Sequence, residues 1–290
     1  MSTQPRILVT GASGQLGRLV IADLLRTTPA NQIAALVRSD KAAASLSALG
    51  VIARLGDYND VGALEKAFSG IERLLLISSS EIGQRAAQHR KVIQAARHSH
   101  VKLLAYTSVL RAPASPLGLA EEHRLTEASL RESGIPFVLL RNGWYTENYT
   151  ASIPSALAHG AFLGSASEGR ISSAARADYA AAAAAVLISE GDQEGRTYEL
   201  AGDEPYTLAQ FAKELSRQTG KNIAYHNLPE PEFKALLVGA GLPEAVAQLL
   251  ADSDRGASQG ALFDDGHQLS RLIGRPTTPF AVTITAALRG

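Results

Sequence analysis

The sequence predicts an α/β protein, a Rossmann-type doubly wound parallel sheet followed by a smaller, mostly helical C-terminal lobe. Three observations predict it. Strand-length apolar runs recur through the first half of the chain, amphipathic helical stretches separate them, and a glycine-spaced loop joins the first run to the first helix.

The apolar runs are Ile7–Val9, Ile33–Val37, Val51–Leu55, Leu74–Ile77, Leu103–Tyr106 and Phe137–Leu140. Each is apolar nearly throughout, as strands are when helices cover both faces of a parallel sheet. Between the first two runs, Leu16, Leu19, Val20, Leu24 and Leu25 recur at helical spacing, and Val92, Ile93 and Ala96 repeat that spacing after Gln88. Such alternation winds helices onto both faces of the sheet through right-handed crossovers.

After about Arg141 the alternation fades, and Gly160, Gly164 and Gly169 mark turns. An Ala-rich helix runs from about Arg176 to Ser189, and a strand-like Thr197–Ala201 precedes Gly202-Asp203. A helix begins near Thr207 with Leu208, Phe211, Ala212 and Leu215 on one face, and further helical pieces follow around Glu232–Val238 and Pro243–Leu250. The expected division is a sheet domain over residues 1–150 and a smaller lobe over 151–290, with the option that the Ala-rich helix, about 176–189, packs back on the sheet domain.

Composition narrows the function classes. The 290 residues are 46% hydrophobic and 19% charged, which fits a globular chain with a sizeable core. Twenty-eight basic residues balance 28 acidic ones, so no long-range field draws the chain to nucleic acid or an anionic membrane. A phosphate still needs only one or two well-placed arginines. The absence of cysteine excludes disulfides, thiolate metal sites and cysteine nucleophiles. The apolar run Ile7–Val9 is too short for a signal-peptide core, and Tyr179–Ile188 falls short of the roughly 18 residues that a membrane span needs. A soluble, cytoplasmic protein is expected, and a homodimer is left open.

The loop Thr10-Gly11-Ala12-Ser13-Gly14-Gln15-Leu16-Gly17 leaves the first strand and opens the first helix. Gly11 permits a tight turn, Gly14 a close approach of backbone to pyrophosphate, and Gly17 close helix–strand packing. The helix start offers free N–H groups and a positive dipole end. Its position in the first βαβ unit makes it a dinucleotide loop with G-x-x-G-x-x-G spacing. NAD-binding versions carry an acid at the end of the second strand for the ribose hydroxyls. This chain has Val37-Arg38-Ser39 instead, and Arg38 suits a 2′-phosphate, so NADPH is the expected cofactor. A merely solvated Arg38 is the alternative. Asp57, after the third strand, either meets the adenine amine or caps the helix near Asp60. Ser78-Ser79-Ser80 ends the fourth strand, where such sheets collect ligands, although hydroxyls there also cap helices.

These residues resemble the NmrA-like group of atypical short-chain dehydrogenase/reductases, within it the NADPH-dependent quinone oxidoreductase 2 subfamily. The likeness runs end to end. It rests on Thr10–Gly17, on Leu74-Leu75-Leu76-Ile77-Ser78-Ser79-Ser80-Glu81, and on Leu139-Leu140-Arg141-Asn142-Gly143-Trp144-Tyr145-Thr146-Glu147-Asn148-Tyr149. Ala251-Asp252-Ser253-Asp254-Arg255-Gly256-Ala257-Ser258 and Leu262-Phe263-Asp264-Asp265 extend it. The resemblance implies NADP(H) contacts from Gly11, Ala12, Ser13, Gly14, Gln15, Leu16, Arg38, Ser78, Ser79 and Ser80. It implies others from Asn142, Gly143, Trp144, Tyr145, Thr146 and Glu147, placed near the nicotinamide. Trp144 and Tyr145 would wall a flat substrate, unless the lone tryptophan is simply core packing.

Typical members of the superfamily use Tyr-x-x-x-Lys after the fifth strand; here Leu119 and His123 occupy those places. The usual acid for alcohol and ketone chemistry is absent. Quinone reduction asks less, because the charge spreads through an aromatic ring and positioning supplies most of the catalysis. Asn142, Tyr145 and His123 are the catalytic candidates. His123 either anchors ribose or relays a proton, or else is structural. No metal site is expected, since His98-Ser99-His100 lacks supporting ligands and Asp252, Asp254, Asp264 and Asp265 lack calcium-loop spacing.

The expected function is therefore hydride transfer from NADPH to a small-molecule quinone. The competing reading is a dinucleotide-binding redox sensor without turnover, as in some NmrA-like proteins. No DNA-binding appendage or basic tail supports it. An epimerase usually keeps the tyrosine, and Leu119 counts against that reading.

Overall fold

The computed structural model describes residues 4–289. In chain order the elements are β1 (Ile7–Val9), α1 (Gln15–Leu24), β2 (Ile33–Val37), α2 (Asp40–Ser47), β3 (Ile52–Leu55), α3 (Val61–Phe68), β4 (Arg73–Leu76), α4 (Arg85–His98), β5 (Leu103–Val109), α5 (Ala120–Ser133) and β6 (Phe137–Asn142). Then come α6 (Thr146–Thr150), α7 (Ile153–His159), β7 (Ala161–Gly164), α8 (Arg176–Ile188), β8 (Thr197–Leu200), α9 (Leu208–Thr219) and β9 (Ala224–Asn227). The last are α10 (Glu230–Gly239), α11 (Glu244–Ser258), α12 (Gln268–Ile273) and α13 (Phe280–Arg289).

Seven strands form the principal sheet in the order β3-β2-β1-β4-β5-β6-β8. Leu8 of β1 lies opposite Ala34 of β2 and Leu74 of β4, both in parallel register. The order reverses at β1, so the crevice where ligands collect in doubly wound sheets opens above the carboxyl ends of β1 and its neighbours. The strands β1, β2 and β5 are buried along their whole length, which explains the apolar runs of β1 and β2 and of β5 up to Tyr106.

Two compact units partition the chain. The first takes the chain up to Val109, then Glu122–Arg141 and Tyr179–Tyr198. Its core on one sheet face joins Leu8, Leu36, Leu74, Leu76 and Leu104 to Phe68, Val92, Ala96 and Leu130 from α3, α4 and α5. Burying each large aliphatic or aromatic side chain contributes about 1.5–3 kcal/mol. Most of the Ala-rich α8 belongs to this unit, and Arg73 at the start of β4 donates to the carbonyls of Leu187 (2.9 Å) and Ser189 (2.7 Å) at its end. In the same unit, Glu127 of α5 accepts from Ser108 (2.7 Å), from Arg141 through two nitrogens (2.9 and 2.7 Å) and from Arg131 (3.0 Å).

The strand-like Thr197–Ala201, read from sequence as part of the looser second half, forms the outer strand β8 of the principal sheet. Gly195 donates to the Phe137 carbonyl (2.8 Å) and Leu139 to that of Arg196 (2.9 Å), which fixes its entry beside β6.

The second unit holds Leu110–Glu121, Asn142–Asp178 and Glu199–Gly290. Its centre is aromatic: Phe211 packs against Phe162 (ring centroids 5.0 Å), Tyr206 (5.9 Å), Tyr149 (6.1 Å) and Phe280 (6.1 Å). A short parallel pair, β7 with β9, sits beside them and was not anticipated. The helix α9 opens with a full capping box, Thr207 with Gln210, where the sequence places its start.

Candidate functional site

The glycine loop takes the shape its spacing implies. Gly11 has φ +57°, in the left-handed region that glycine adopts without strain, and its carbonyl accepts the Gly14 N–H at 2.9 Å. A Cβ on Gly17 would stand 2.4 Å from the Gly11 oxygen and 2.7 Å from the Ala12 Cα, so only glycine lets α1 begin this close to β1. No side chain caps α1 at Gly14, and its first turn carries no acid. Its opening N–H groups and positive dipole end are left for a ligand anion.

These residues line a cavity of about 270 Å³ within the first unit. Gly11, Ser13, Gly14, Gln15, Leu16, Arg38, Asp57, Ser78, Ser79 and Ser80 all contribute to its wall, whereas Ala12, fully buried, does not. Asp57 is not the cap of α3; Asp60 is, accepting the Ala63 N–H at 2.9 Å. Asp57 instead accepts the Asn59 N–H (2.8 Å) and sits 4.0 Å from Arg38. Nor do the serines cap α4, whose start at Gln84 has no side-chain cap bond.

A hydrogen-bonded scaffold, largely invisible in sequence, fixes the serine segment. Ser78 N–H donates to Thr107 Oγ1 (2.9 Å), and Ser79 N–H donates to His89 Nε2 (2.9 Å). Arg85 Nε donates to the Ser79 carbonyl (2.7 Å), and the Ser79 hydroxyl to Gln88 Oε1 (2.5 Å). Tyr58 bridges the ends of β1 and β4, its hydroxyl bonded to Thr10 Oγ1 and to the Ile77 carbonyl. Burial pushes that phenol's pKa up, so it stays protonated. Tyr58 and Gln88 line the cavity without having been singled out from sequence. Polar side chains on a helix facing a strand's carboxyl end are the signal that would have found Gln88 and His89.

His123 lies elsewhere in the first unit, 5% exposed, its Nδ1 bonded to the Tyr106 hydroxyl at 2.7 Å, and it is not among the residues lining the cavity. Burial, with Arg85 and His89 nearby, lowers its pKa well below the usual histidine value. It is neutral at physiological pH.

Asn142, Gly143, Trp144, Tyr145, Thr146 and Glu147 belong to the second unit. Their turn is rigidly framed: Ala174 donates to the Trp144 carbonyl (3.1 Å), Thr146 to that of Ala174 (3.0 Å), and Glu147 accepts the Arg176 N–H at 2.9 Å. The Arg176 guanidinium lies 4.7 Å from the centre of the Tyr145 ring. Trp144 is 8% exposed and packs against Tyr149. The side-chain oxygen of Asn142 is buried without a hydrogen-bond partner. Among the described residues, no group of three or more His, Cys, Asp or Glu could hold a metal, and no helix is long and apolar enough to cross a membrane.

A doubly wound sheet with a glycine-lined cavity at its point of reversal defines a Rossmann-type dinucleotide-binding protein. The model of the NmrA-like family matches residues 3–275, and the chain belongs to that family. It is 57% identical to quinone oxidoreductase 2 of Escherichia coli (strain K12) over 96% of this chain and 97% of that one. The crystal structure of the NADPH-dependent quinone oxidoreductase from Escherichia coli complexed with NADPH superposes with a TM-score of 0.95, at 56% identity, covering 97% and 99% of the two chains. Triphenylmethane reductase of Citrobacter sp. complexed with NADP(H) follows at a TM-score of 0.92, 39% identity, and 97% and 99% coverage.

Proposed function

We propose that the chain is an NADPH-dependent quinone oxidoreductase. The observation that carries the reading is one cleft in which an uncapped helix start meets Arg38, with no acid within β2. The relatives named for NADPH and quinone, alike over nearly the whole chain, support the acceptor class. NADPH held there would supply a hydride to a quinone.

The chain's own residues bind and orient. The N–H groups opening α1 hold the pyrophosphate, Gly14 lets them approach it, and Arg38 takes the 2′-phosphate. Asp57 faces the adenine, and Ser78 and Ser79, fixed by Thr107 and His89, border the middle of the cofactor together with Ser80. In the second unit, Asn142 has an unpartnered side-chain oxygen able to accept from an amide, and Trp144 and Tyr145 supply flat aromatic rings of the kind that suit a quinone. His123, neutral and tied to Tyr106, serves as support rather than as a proton store. The compartment is the cytoplasm, and the partner is a small molecule rather than nucleic acid, in keeping with the balanced charge.

The test is NADPH oxidation followed by absorbance, with and without a panel of small quinones, and with NADH in parallel. Quinone-dependent turnover favouring NADPH is expected. Tight NADPH binding with no turnover on any acceptor would replace this reading with the sensor.

A further inference from the structure

Arg38 is the one cation among the residues lining the cavity, and its partners are carboxylates of the same cavity. Its Nη1 lies 3.0 Å from Glu81 Oε1 and 4.0 Å from Asp57 Oδ2. Arg38 follows β2 and Glu81 follows β4, and β1 runs between those strands, so the pair reaches across the strand that carries the glycine loop. The two ends are not held alike. The second oxygen of Glu81 accepts from Gln88 Nε2 at 2.7 Å, and Gln88 is 2% exposed and bonded in turn to Ser79. Glu81 therefore rests on a buried anchor. The Arg38 side chain is 69% exposed and, among the contacts described, is held only by the carboxylates.

We infer that Glu81 is a specificity-determining residue that competes with the 2′-phosphate of the cofactor for Arg38. This rests on the assignment of Arg38 to that phosphate. In the free protein Glu81 parks the guanidinium, and a phosphate dianion on the ribose draws it away, because it offers more charge than a carboxylate. A cofactor with only a 2′-hydroxyl does not recruit Arg38 and leaves the pair intact. Glu81 thus subtracts from NADPH affinity and from no other part of dinucleotide recognition. The exchange makes release of the oxidised cofactor easier, since Arg38 has a partner waiting.

The test measures binding rather than turnover. Dissociation constants of 2′,5′-ADP, 5′-ADP and NADPH are determined by calorimetry for wild type, Glu81→Gln, Arg38→Ala and the double variant. Melting temperature verifies that each variant folds, and Glu81→Ala serves as a second replacement. Glu81→Gln is expected to tighten 2′,5′-ADP and NADPH by about two- to fivefold, the span of an exposed ion pair, and to leave 5′-ADP within twofold. In the Arg38→Ala background the gain is expected to vanish. A gain that survives without Arg38 would mean direct repulsion between Glu81 and phosphate, and would overturn the exchange. Unchanged or weaker binding in Glu81→Gln and Glu81→Ala would overturn it as well. If Arg38→Ala itself leaves the preference for 2′,5′-ADP over 5′-ADP intact, the assignment of Arg38 fails, which is a separate result.

Discussion

The backbone N–H of Ser79 donates to Nε2 of His89 at 2.9 Å, and this bond decides the state of the imidazole. With Nε2 accepting, the proton sits on Nδ1 and is donated to Thr126 Oγ1 at 2.9 Å, while Thr126 donates onward to the Glu122 carbonyl. A protonated ring could not accept from Ser79. Burial first, then Arg85, brings the His89 pKa down to about 3.

The sign of the resulting pH dependence follows from linkage. The unfolded chain takes up a proton at this histidine below about pH 6.5, and the folded chain does not until about pH 3. The contribution is therefore complete above pH 6.5 and declines as pH falls, by at most about 1.4 kcal/mol per pH unit. Between pH 7 and pH 4.5 the melting temperature of wild type should lose more, or gain less, than that of His89→Gln, which keeps an acceptor for Ser79. His123 is shifted the same way, so part of the slope should persist in that variant.

Gly17→Ala should be poorly tolerated. The added methyl would meet the Gly11 oxygen at 2.4 Å and the Ala12 Cα at 2.7 Å, both backbone atoms, and overpacking of this kind costs about 1–3 kcal/mol. Lower thermal stability together with weaker NADPH binding is expected. Wild-type affinity in a fully stable Gly17→Ala protein would contradict the role given to the loop.

Glu127→Ala should be among the most damaging single changes in the first unit. Glu127 is 1% exposed; burial pushes its pKa up, but the bonds from Arg141, Ser108 and Arg131 outweigh that and hold it below the usual value. Removing it takes away the charged partner of Arg141, which is itself buried, and breaking such a pair costs about 3–5 kcal/mol. Urea unfolding would read this as a lower midpoint at an unchanged slope.

Asn142→Ala should lower kcat/KM for NADPH by about tenfold, the worth of one hydrogen bond of roughly 1–1.5 kcal/mol. The side-chain oxygen it deletes has no partner within the protein. Equal kinetics in variant and wild type would remove Asn142 from the candidates.

Arg38→Asp should weaken NADPH far more than NADH, because the acid repels a 2′-phosphate and accepts from a 2′-hydroxyl. Fluorescence titration of the two reduced cofactors gives the ratio directly. A proportional loss for both would leave Arg38 without a part in discrimination.

What the sequence reveals here depends on how each element is buried. The strands β1, β2 and β5 are covered on both faces and read as plain apolar runs, and the loop from Thr10 to Gly17 carries its geometry in its glycines. The strand β8 shows no such pattern, because it lies at the sheet edge and only Leu200 of its four residues is buried. The pair β7–β9 is hidden for a related reason: Ala224–Asn227 is mostly exposed and has no periodic face. Around the cleft, contacts among distant residues escape local patterns altogether. Glu81 looks like an ordinary solvated acid until the fold sets it opposite Arg38, 43 residues away along the chain.

The assignment of Tyr179–Tyr198 to the first unit bears on how the chain is made. A ribosome delivers β1 to β6 well before it delivers α8 and β8. During that interval β6 is a bare sheet edge, and Arg73 has no helix end to hold. A bare edge is the surface on which a second nascent chain can add a strand. The β6 edge is covered once β8, which ends at Leu200, has left the exit tunnel, and β8 is then the outer strand. A fragment cut at residue 150 would keep β6 as its outer strand.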